Sequence, residues 1–275
     1  MDYTKLDKEL EKAIQKMDLG RGQNFSSLFE DFLDAALLPL CNNPNERQID
    51  LWKRIQSDEK YAEAFGEAMT RYGDAACDYH DPLGEMFMMN ISNGQNGQFF
   101  TPDCICDLMA KLNEPKENDS VCDPTCGSGR ILLAALRNMT QEGREPWLYG
   151  NDLSYTCARM TLLNLLVNRA RGEVSCGDAL KYDLENYTFF KIDRCFMPQG
   201  FWISTYWQYT LSNVSEIDTK RNAWRLEMLK NGLWVELPRK TATAAPKEPI
   251  TEKKKETELP TTAKAVEGQY QLELF

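Results

Sequence analysis

The chain has a single histidine among 275 residues, His80, and we expect it to be structural rather than a general base. It lacks an apolar run long enough to cross a membrane, and no secretory signal opens its acidic start. Its nine cysteines lack paired Cys-x2-Cys spacing, so Cys104 with Cys106 and Cys122 with Cys126 predict no metal site. These absences favour a cytoplasmic protein without a metal.

Net positive charge is also lacking, since the formal net charge is -10. An acidic protein has no overall attraction for the phosphate backbone of nucleic acids. Two interpretations of its later basic residues stay open: they line a local groove, or they belong to a mixed, solubilising surface. These residues are Arg159, Arg169, Arg171, Lys191, Arg194, Lys220, Arg221 and Arg225.

The most informative motif is Asp-Pro-Thr-Cys-Gly-Ser-Gly at 123–129. A short extended segment precedes it, and the apolar run 131–136 predicts a helix after it. Gly127 and Gly129 allow the backbone to approach a ligand closely. A second acid, Asp152, follows at about the distance at which nucleotide-binding sheets place a ribose-binding carboxylate. We therefore expect Asp123 and Asp152 to converge on one nucleotide-like cofactor.

Further segments extend this motif on both sides. Asp-Pro-Leu-Gly-Glu-Met-Phe lies at 81–87 and Gly-Gln-Phe-Phe-Thr-Pro at 97–102; Tyr-Gly-Asn-Asp lies at 149–152 and Gly-Asp-Ala-Leu at 177–180. In this order and spacing, the region from about 75 to 180 resembles the modification subunits of type I restriction systems and related adenine-N6 DNA methyltransferases. The resemblance implies an α/β, Rossmann-like methyltransferase fold with a helical region before it. Since only residues 203–240 are left to finish the sheet, we expect that fold in a shortened form.

The same resemblance implies S-adenosylmethionine (SAM) as cofactor. Asp123 would bind the methionine ammonium, Asp152 the ribose hydroxyls and Asp178 the adenine amino group, while Leu153 and Leu180 would flank the adenine ring. An ionised carboxylate is a suitable acceptor for a cation, a diol or an amine. Together with the residues beside the methionine part and the turn glycines, the implied cofactor-binding set is Phe100, Thr101, Pro102, Asp123, Gly127, Gly129, Asp152 and Asp178.

The catalytic motif of the resembled enzymes, Asn-Pro-Pro-aromatic, is not recognisable. The chain has no Pro-Pro pair, and Met197 stands where the Asn is needed. Either Gln199 with Phe201 or Trp202 holds the target amino group, which makes the chain an active adenine-N6 methyltransferase with a divergent loop, or the chain keeps a cofactor pocket without a working transfer site. We favour the second interpretation, and the catalytic residues stay unassigned.

Composition and periodicity divide the chain into four parts. Residues 1–95 show helical stripes, with a helix start at Ser57-Asp58-Glu59. Residues 96–239 form the methyltransferase-like domain, in which 201–211 and 233–237 are predicted strands around a helix at 215–230. Residues 240–268, rich in Thr, Ala, Lys, Glu and Pro, predict a disordered linker. Residues 269–275 form a distinct apolar tail.

That tail resembles the bacterial sliding-clamp-binding peptide, through Gln271, Leu272, Leu274 and Phe275. The resemblance implies that Leu and Phe enter a pocket of the clamp while Gln anchors the backbone. About 29 linker residues would span on the order of 30 Å as a flexible coil. The expected partners are therefore DNA, the sliding clamp, and a specificity or other restriction-modification subunit.

Overall fold

The computed structural model describes residues 3–92, 99–113, 115, 119–181, 183–197, 199 and 201–235. The predicted linker, 240–268, and the predicted clamp-binding tail, 269–275, lie outside these residues. Within the described ranges, no helix has both the length and the apolar character that a bilayer span requires.

The first part of the chain is helical, as predicted. Its helices are α1 (Tyr3–Lys16), α2 (Phe25–Leu37), α3 (Glu46–Ser57), α4 (Glu59–Ala75) and the short α5 (Pro82–Phe87). Asparagine and aspartate side chains begin most of them, because their oxygens accept from otherwise unpaired first-turn amides. Asp58 caps α4 at the predicted start, Asn24 caps α2, and Asn45 forms a capping box with Gln48 before α3.

The second part is a mixed sheet with helices. Three parallel strands, β1 (Ser120–Asp123), β2 (Trp147–Asp152) and β3 (Arg171–Cys176), lie side by side in that order. The helix α7 (Arg130–Gln141) connects β1 to β2, and α8 (Tyr155–Val167) connects β2 to β3. A further helix, α6 (Asp103–Asn113), precedes β1 and packs on α7. This architecture is the predicted Rossmann-like fold in a shortened form.

The sheet continues with antiparallel strands. β4 (Thr188–Phe196) pairs with β3, β5 (Trp202–Tyr209) pairs with β4 as a hairpin, and β6 (Trp234–Val235) pairs with the end of β4. The helix α9 (Val214–Lys230) lies between β5 and β6 in the sequence. The predicted strand, helix and strand after residue 200 are therefore present. The strand before them, β4, runs against the three parallel strands, and β5 and β6 both pair with β4.

One hydrophobic core joins the helical region to the sheet. Aromatic and aliphatic side chains of the first five helices pack with those of α7, α8 and the central strands. His80 belongs to the helical region, where its Nε2 atom lies 3.1 Å from the Asp7 carboxylate and its ring stacks on Tyr3. These contacts of His80 are therefore with other residues of the helical region.

The basic side chains considered above for a local groove are largely engaged in ion pairs. Arg159 is buried and pairs with Glu30 and Asp34 of α2. Among the others, Arg194 and Arg171 share Glu145, while Lys191 faces Glu173. Neither interpretation made from the sequence describes them well, because most of these charges hold elements of the fold together.

Asp193 of β4 carries two further buried ion pairs. Its carboxylate accepts from Arg221 Nε at 2.5 Å and Arg225 Nη2 at 2.7 Å, both from α9. All three residues are buried. A buried charge deprived of its partner is strongly destabilising, whereas an exposed pair contributes little.

We expect Asp193→Ala to lower the free energy of unfolding by about 3–5 kcal/mol, because two buried guanidinium groups lose their counter-charge. Glu216→Ala removes the exposed i,i+4 partner of Lys220 on the same helix and should cost less than about 1 kcal/mol. Urea unfolding of both variants measures the difference. Equal losses would contradict the role given to Asp193.

Candidate functional site

The two acids of the predicted site lie at the same edge of the sheet. Asp123 is the last residue of β1 and Asp152 the last of β2, and these neighbouring strands are parallel. Their carboxylates are close enough for the charge of Asp152 to contribute to the raised pKa of Asp123. The predicted convergence of the two acids is therefore present in the structure.

Asp123 is a buried carboxylate with few compensating groups. Its side chain accepts from the Thr125 amide at 3.1 Å, and the described residues provide no cation within ion-pair distance of it. Burial raises the pKa of Asp123, the Thr125 amide opposes that effect, and Asp152 adds to it. Burial of a charge is costly unless it is paired, so this carboxylate is suited to receive a cation.

Asp152 joins the end of β2 to the glycine turn. One carboxylate oxygen accepts from the Gly127 amide at 2.9 Å, and the other from the Ser154 amide at 2.8 Å. Burial raises the pKa of Asp152, and these two amides oppose the shift by favouring the ionised form. The half-buried side chain retains acceptor capacity for a ligand hydroxyl.

The glycine turn brings the backbone against an aromatic ring. Gly127 has a φ of +58°, and a Cβ atom there would come within 2.8 Å of the Phe100 ring. Phe100 stacks on Phe87 of α5, with ring centroids 5.7 Å apart. Gly129 has a φ of +90° and is the N-cap of α7. Side chains at these glycines would be strained, and at 127 the Cβ would also clash with Phe100.

The side chains that hold this turn in place were not predicted from the sequence. Asp81, which caps α5 through the Gly84 amide, also accepts from Ser128 Oγ and, at 2.8 Å, from Arg130 Nε. Asn164 of α8 donates to the same carboxylate at 2.8 Å and to the Ser128 carbonyl at 2.9 Å. The Asp-Pro pair at 81–82 signals a helix cap, but only the fold shows that the cap also anchors the glycine turn.

A second polar clamp lies between the strand ends. The buried Asn151 side chain donates to the Pro124 carbonyl at 3.2 Å and to the Gly177 carbonyl at 3.0 Å, and accepts from Ser175 Oγ at 2.8 Å. It thus holds the loops after β1 and β3 together. Asn151 belongs to the Tyr-Gly-Asn-Asp segment at 149–152. Its bonds to the Pro124 and Gly177 carbonyls can be predicted only once the neighbouring strands are known.

The remaining predicted cofactor residues lie in the segment before α6 and in the loop after β3. Thr101 is half-buried and Pro102 exposed, both just before α6. Asp178 follows β3, where its carboxylate accepts from the Leu180 amide at 3.1 Å and lies 3.2 Å from Lys181 Nζ. The Leu180 amide is the main cause of the lowered pKa of Asp178. Leu153 and Leu180 are strongly exposed.

The segment proposed as a divergent target loop lies at the other end of the sheet. Residues 197–201 connect β4 to β5, and β4 runs against β3, with Ile192 opposite Gly172 and Thr188 opposite Cys176. Met197, which follows β4, therefore lies at the amino-end side of β2 and β3, on the order of 30 Å from the carboxyl end of β3. The structure does not bring Met197, Gln199, Phe201 or Trp202 to the acids, and that form of the divergent-loop hypothesis is not supported.

Comparison with known proteins finds a matching family model and several relatives. The family model for N-6 DNA Methylase matches residues 78–221, just over half of the chain. The type I restriction enzyme MpnII methylase subunit of Mycoplasma pneumoniae is 25% identical over 171 residues, which cover 58% of this chain and 29% of that protein. The MjaVII methylase subunit of Methanocaldococcus jannaschii is 29% identical over 182 residues, covering 63% and 29%. The chain spans less than a third of these curated relatives.

A solved structure from Listeria monocytogenes, assigned to the class I SAM-dependent methyltransferases, is also similar. It aligns with a TM-score of 0.49 and 16% identity over 66% of this chain and 55% of that one.

We expect Gly127→Ala to destabilise the protein more than Gly143→Ala. Both glycines have positive φ, but a Cβ at 143 meets nothing within 4 Å, whereas one at 127 meets Phe100. The left-handed conformation alone costs about 1–2 kcal/mol for a residue with a side chain, so the excess at 127 measures the clash. Thermal unfolding of both variants checks this, and equal losses would contradict the close packing of Phe100.

Proposed function

The chain belongs to the N-6 DNA methylase family, and from this premise we propose that it binds SAM at the carboxyl ends of β1 and β2. The observation that carries the proposal is the buried, under-compensated carboxylate of Asp123 at the glycine turn. SAM has an ammonium group, a ribose diol and an adenine amine, and the site has carboxylates that fit the first two.

Asp123 would hold the ammonium group. The described part of the chain offers this carboxylate one amide donor and no cation. An ammonium ligand would therefore supply the missing counter-charge through a charge-assisted hydrogen bond, which is stronger than a neutral one. Folding has already removed much of the water around the Asp123 carboxylate. Ligand binding therefore does not have to supply the whole free energy of that desolvation.

Asp152 would accept from the ribose hydroxyls while remaining bonded to the Gly127 amide. Phe100, held by Phe87, would pack beside the methionine part together with Thr101 and Pro102. Asp178 would accept from the adenine amino group, with Leu153 and Leu180 available to flank the ring because both are exposed. SAM, when bound, supplies an electrophilic methyl group.

The chain by itself is proposed to be weakly active or noncatalytic. The segment where the resembled enzymes carry their target-binding motif lies at the opposite end of the sheet from Asp123. The alternative, an active adenine-N6 DNA methyltransferase, would need an acceptor for the target amino group other than Gln199. DNA as substrate and a further restriction-modification subunit as partner follow from the relatives, which are methylase subunits of type I restriction enzymes.

The clamp-binding tail is a separate part of the proposal, supported by residue pattern alone. Gln271, Leu272, Leu274 and Phe275 would dock on the bacterial sliding clamp, and residues 240–268 would act as the tether. Such a tether raises the local concentration of the folded part near DNA without requiring strong DNA contacts. This would suit a protein with a net charge of -10.

We expect Asp123→Asn to weaken SAM binding by about 10–100-fold, because a hydrogen bond to a charged group contributes about 1.5–3 kcal/mol. The same change should not lower the thermal stability of the free protein. Burial raises the pKa of Asp123, so its ionised form opposes folding at neutral pH, and a neutral isostere removes that cost. Titration calorimetry and thermal unfolding measure the two effects.

Asp50→Asn, at an exposed acid of α3, is the control and should leave both quantities unchanged. The affinity of the unmodified protein should fall as the pH falls through the raised pKa of Asp123, and this part of the pH dependence should be absent in Asp123→Asn. Equal SAM affinity in both proteins would overturn the role of Asp123. Methyl transfer to DNA by the chain alone would favour the active alternative.

Deletion of residues 269–275 should abolish association with the sliding clamp, because it removes both apolar side chains that would enter the pocket. Surface plasmon resonance on immobilised clamp measures this, with SAM affinity as the control that should not change. Leu274→Ala with Phe275→Ala should have the same effect in the full chain. Undiminished clamp binding in both variants would contradict the proposed tail function.

A further inference from the structure

The backbone of the glycine turn at 127–129 is permissive, and other parts of the fold fix its conformation. Gly127 and Gly129 both have positive φ and lack a side chain, so the backbone between them can adopt conformations that other residues cannot. Asp152 binds only the amide of Gly127, at 2.9 Å. That bond leaves the direction of the Gly127 carbonyl undetermined, because ψ of a glycine is little restricted.

Helix α8 holds the carbonyl groups of this turn. Thr161 Oγ1 donates to the Gly127 carbonyl at 2.9 Å, and Asn164 Nδ2 donates to the Ser128 carbonyl at 2.9 Å. Thr161 and Asn164 are three residues apart, so they lie on the same face of the helix. Thr161, Asn164 and Ser128 are all buried. One turn of α8 thus binds two successive carbonyls of the glycine turn.

The orientation of the Asn164 amide is fixed from α4. The Tyr72 hydroxyl donates to Asn164 Oδ1 at 2.8 Å. Burial raises the pKa of Tyr72, so this hydroxyl keeps its proton and acts as the donor. The Nδ2 group of Asn164 is therefore directed to the turn, where it donates to the Ser128 carbonyl and to the Asp81 carboxylate. Both of its hydrogens are then used.

Thr161 makes two separable contributions to the turn. Its hydroxyl donates to the Gly127 carbonyl; Oγ1 also lies 3.3 Å from Cys126 Sγ, but a carbonyl oxygen is the stronger acceptor. Its methyl group fills the space beside two glycines, since a Cβ atom would come within 3.1 Å of it at Gly129 and within 3.3 Å at Gly150. The methyl therefore packs α8 against the turn and β2, while the hydroxyl sets the direction of the carbonyl.

We propose that Thr161 is a positioning residue of the cofactor site, whose hydroxyl holds the glycine turn in the conformation that binds SAM. This inference rests on the proposed function. Rotation of the peptide unit between Gly127 and Ser128 would break the bond to Thr161. It would also change the backbone of Gly127, which binds Asp152 and packs against Phe100. A site that adopts its binding conformation for only a fraction of the time has its affinity lowered by that fraction.

Two substitutions at position 161 separate the hydroxyl from the methyl. Thr161→Val keeps the volume and removes the hydroxyl, whereas Thr161→Ser keeps the hydroxyl and removes the methyl. We expect Thr161→Val to weaken SAM binding about 3–10-fold, which corresponds to one hydrogen bond between neutral groups, and Thr161→Ser to leave the affinity unchanged. Both should lower the thermal stability, because one loses a buried hydrogen bond and the other a buried methyl. Titration calorimetry and thermal unfolding measure the two quantities.

Amide hydrogen exchange of the protein without SAM tests the conformation of the turn directly. In Thr161→Val we expect the Gly127 amide to exchange at least about threefold faster relative to the Leu136 amide inside α7, which reports on unfolding of that helix. In Thr161→Ser this ratio should equal that of the unmodified protein. Thr70→Val is the control: it removes an exposed hydroxyl that donates to the Gly66 carbonyl, and it should change neither the ratio nor the SAM affinity.

Equal SAM affinities in Thr161→Val and Thr161→Ser would overturn the proposal, because a residue that only stabilises the fold would affect binding in both variants or in neither. An unchanged exchange ratio in Thr161→Val would also overturn it. If the unmodified protein binds no SAM, the proposed function fails, and the exchange ratio alone then supports or overturns the role of Thr161 in holding the turn.

Discussion

The carboxylate of Asp81 is buried between the helical first part of the chain and the glycine turn, and it accepts hydrogen bonds from both. Arg130 at the start of α7 balances its charge, and Asn164 of α8 binds it while also accepting from the Tyr72 hydroxyl of α4. A buried charge is tolerated only when its partners are all in place. The turn, α5, α7 and α8 must therefore assemble together, and the helical region is part of the site's framework.

The contrast between Asp81 and Asp123 separates structure from function. Both are buried acids, but Asp81 has an arginine, two side-chain donors and an amide, whereas the described residues offer Asp123 a single amide. The first carboxylate is satisfied by the fold. The second has its pKa raised by burial, which leaves it favourable for a cationic ligand. The proposal of a cofactor site rests on this difference in hydrogen-bond and charge partners more than on the number of acids present.

Local patterns predicted the turn, the convergence of Asp123 with Asp152 and helix starts such as Asp58, because the relevant contacts lie within a few residues or follow from parallel strand pairing. Local patterns do not predict which residues pair when they are far apart in the sequence. Nothing near Met197 indicates that β4 reverses against β3, so the sequence order suggested a target loop where the structure has a distant hairpin. Likewise, the arginines of α9 carry no local sign that Asp193 lies beneath them.

The ion pairs of the basic residues bear on how the proposed cofactor site could act on DNA. Most basic residues near the sheet are committed to internal ion pairs, among them Arg159, Arg221 and Arg225, and the net charge is -10. DNA affinity arises mainly from lysine and arginine contacts with phosphates, and side chains already held in internal ion pairs are less available for such contacts. Under the proposed function, methyl transfer to DNA would therefore rely on a partner, such as the clamp or a further restriction-modification subunit, for much of the phosphate contact.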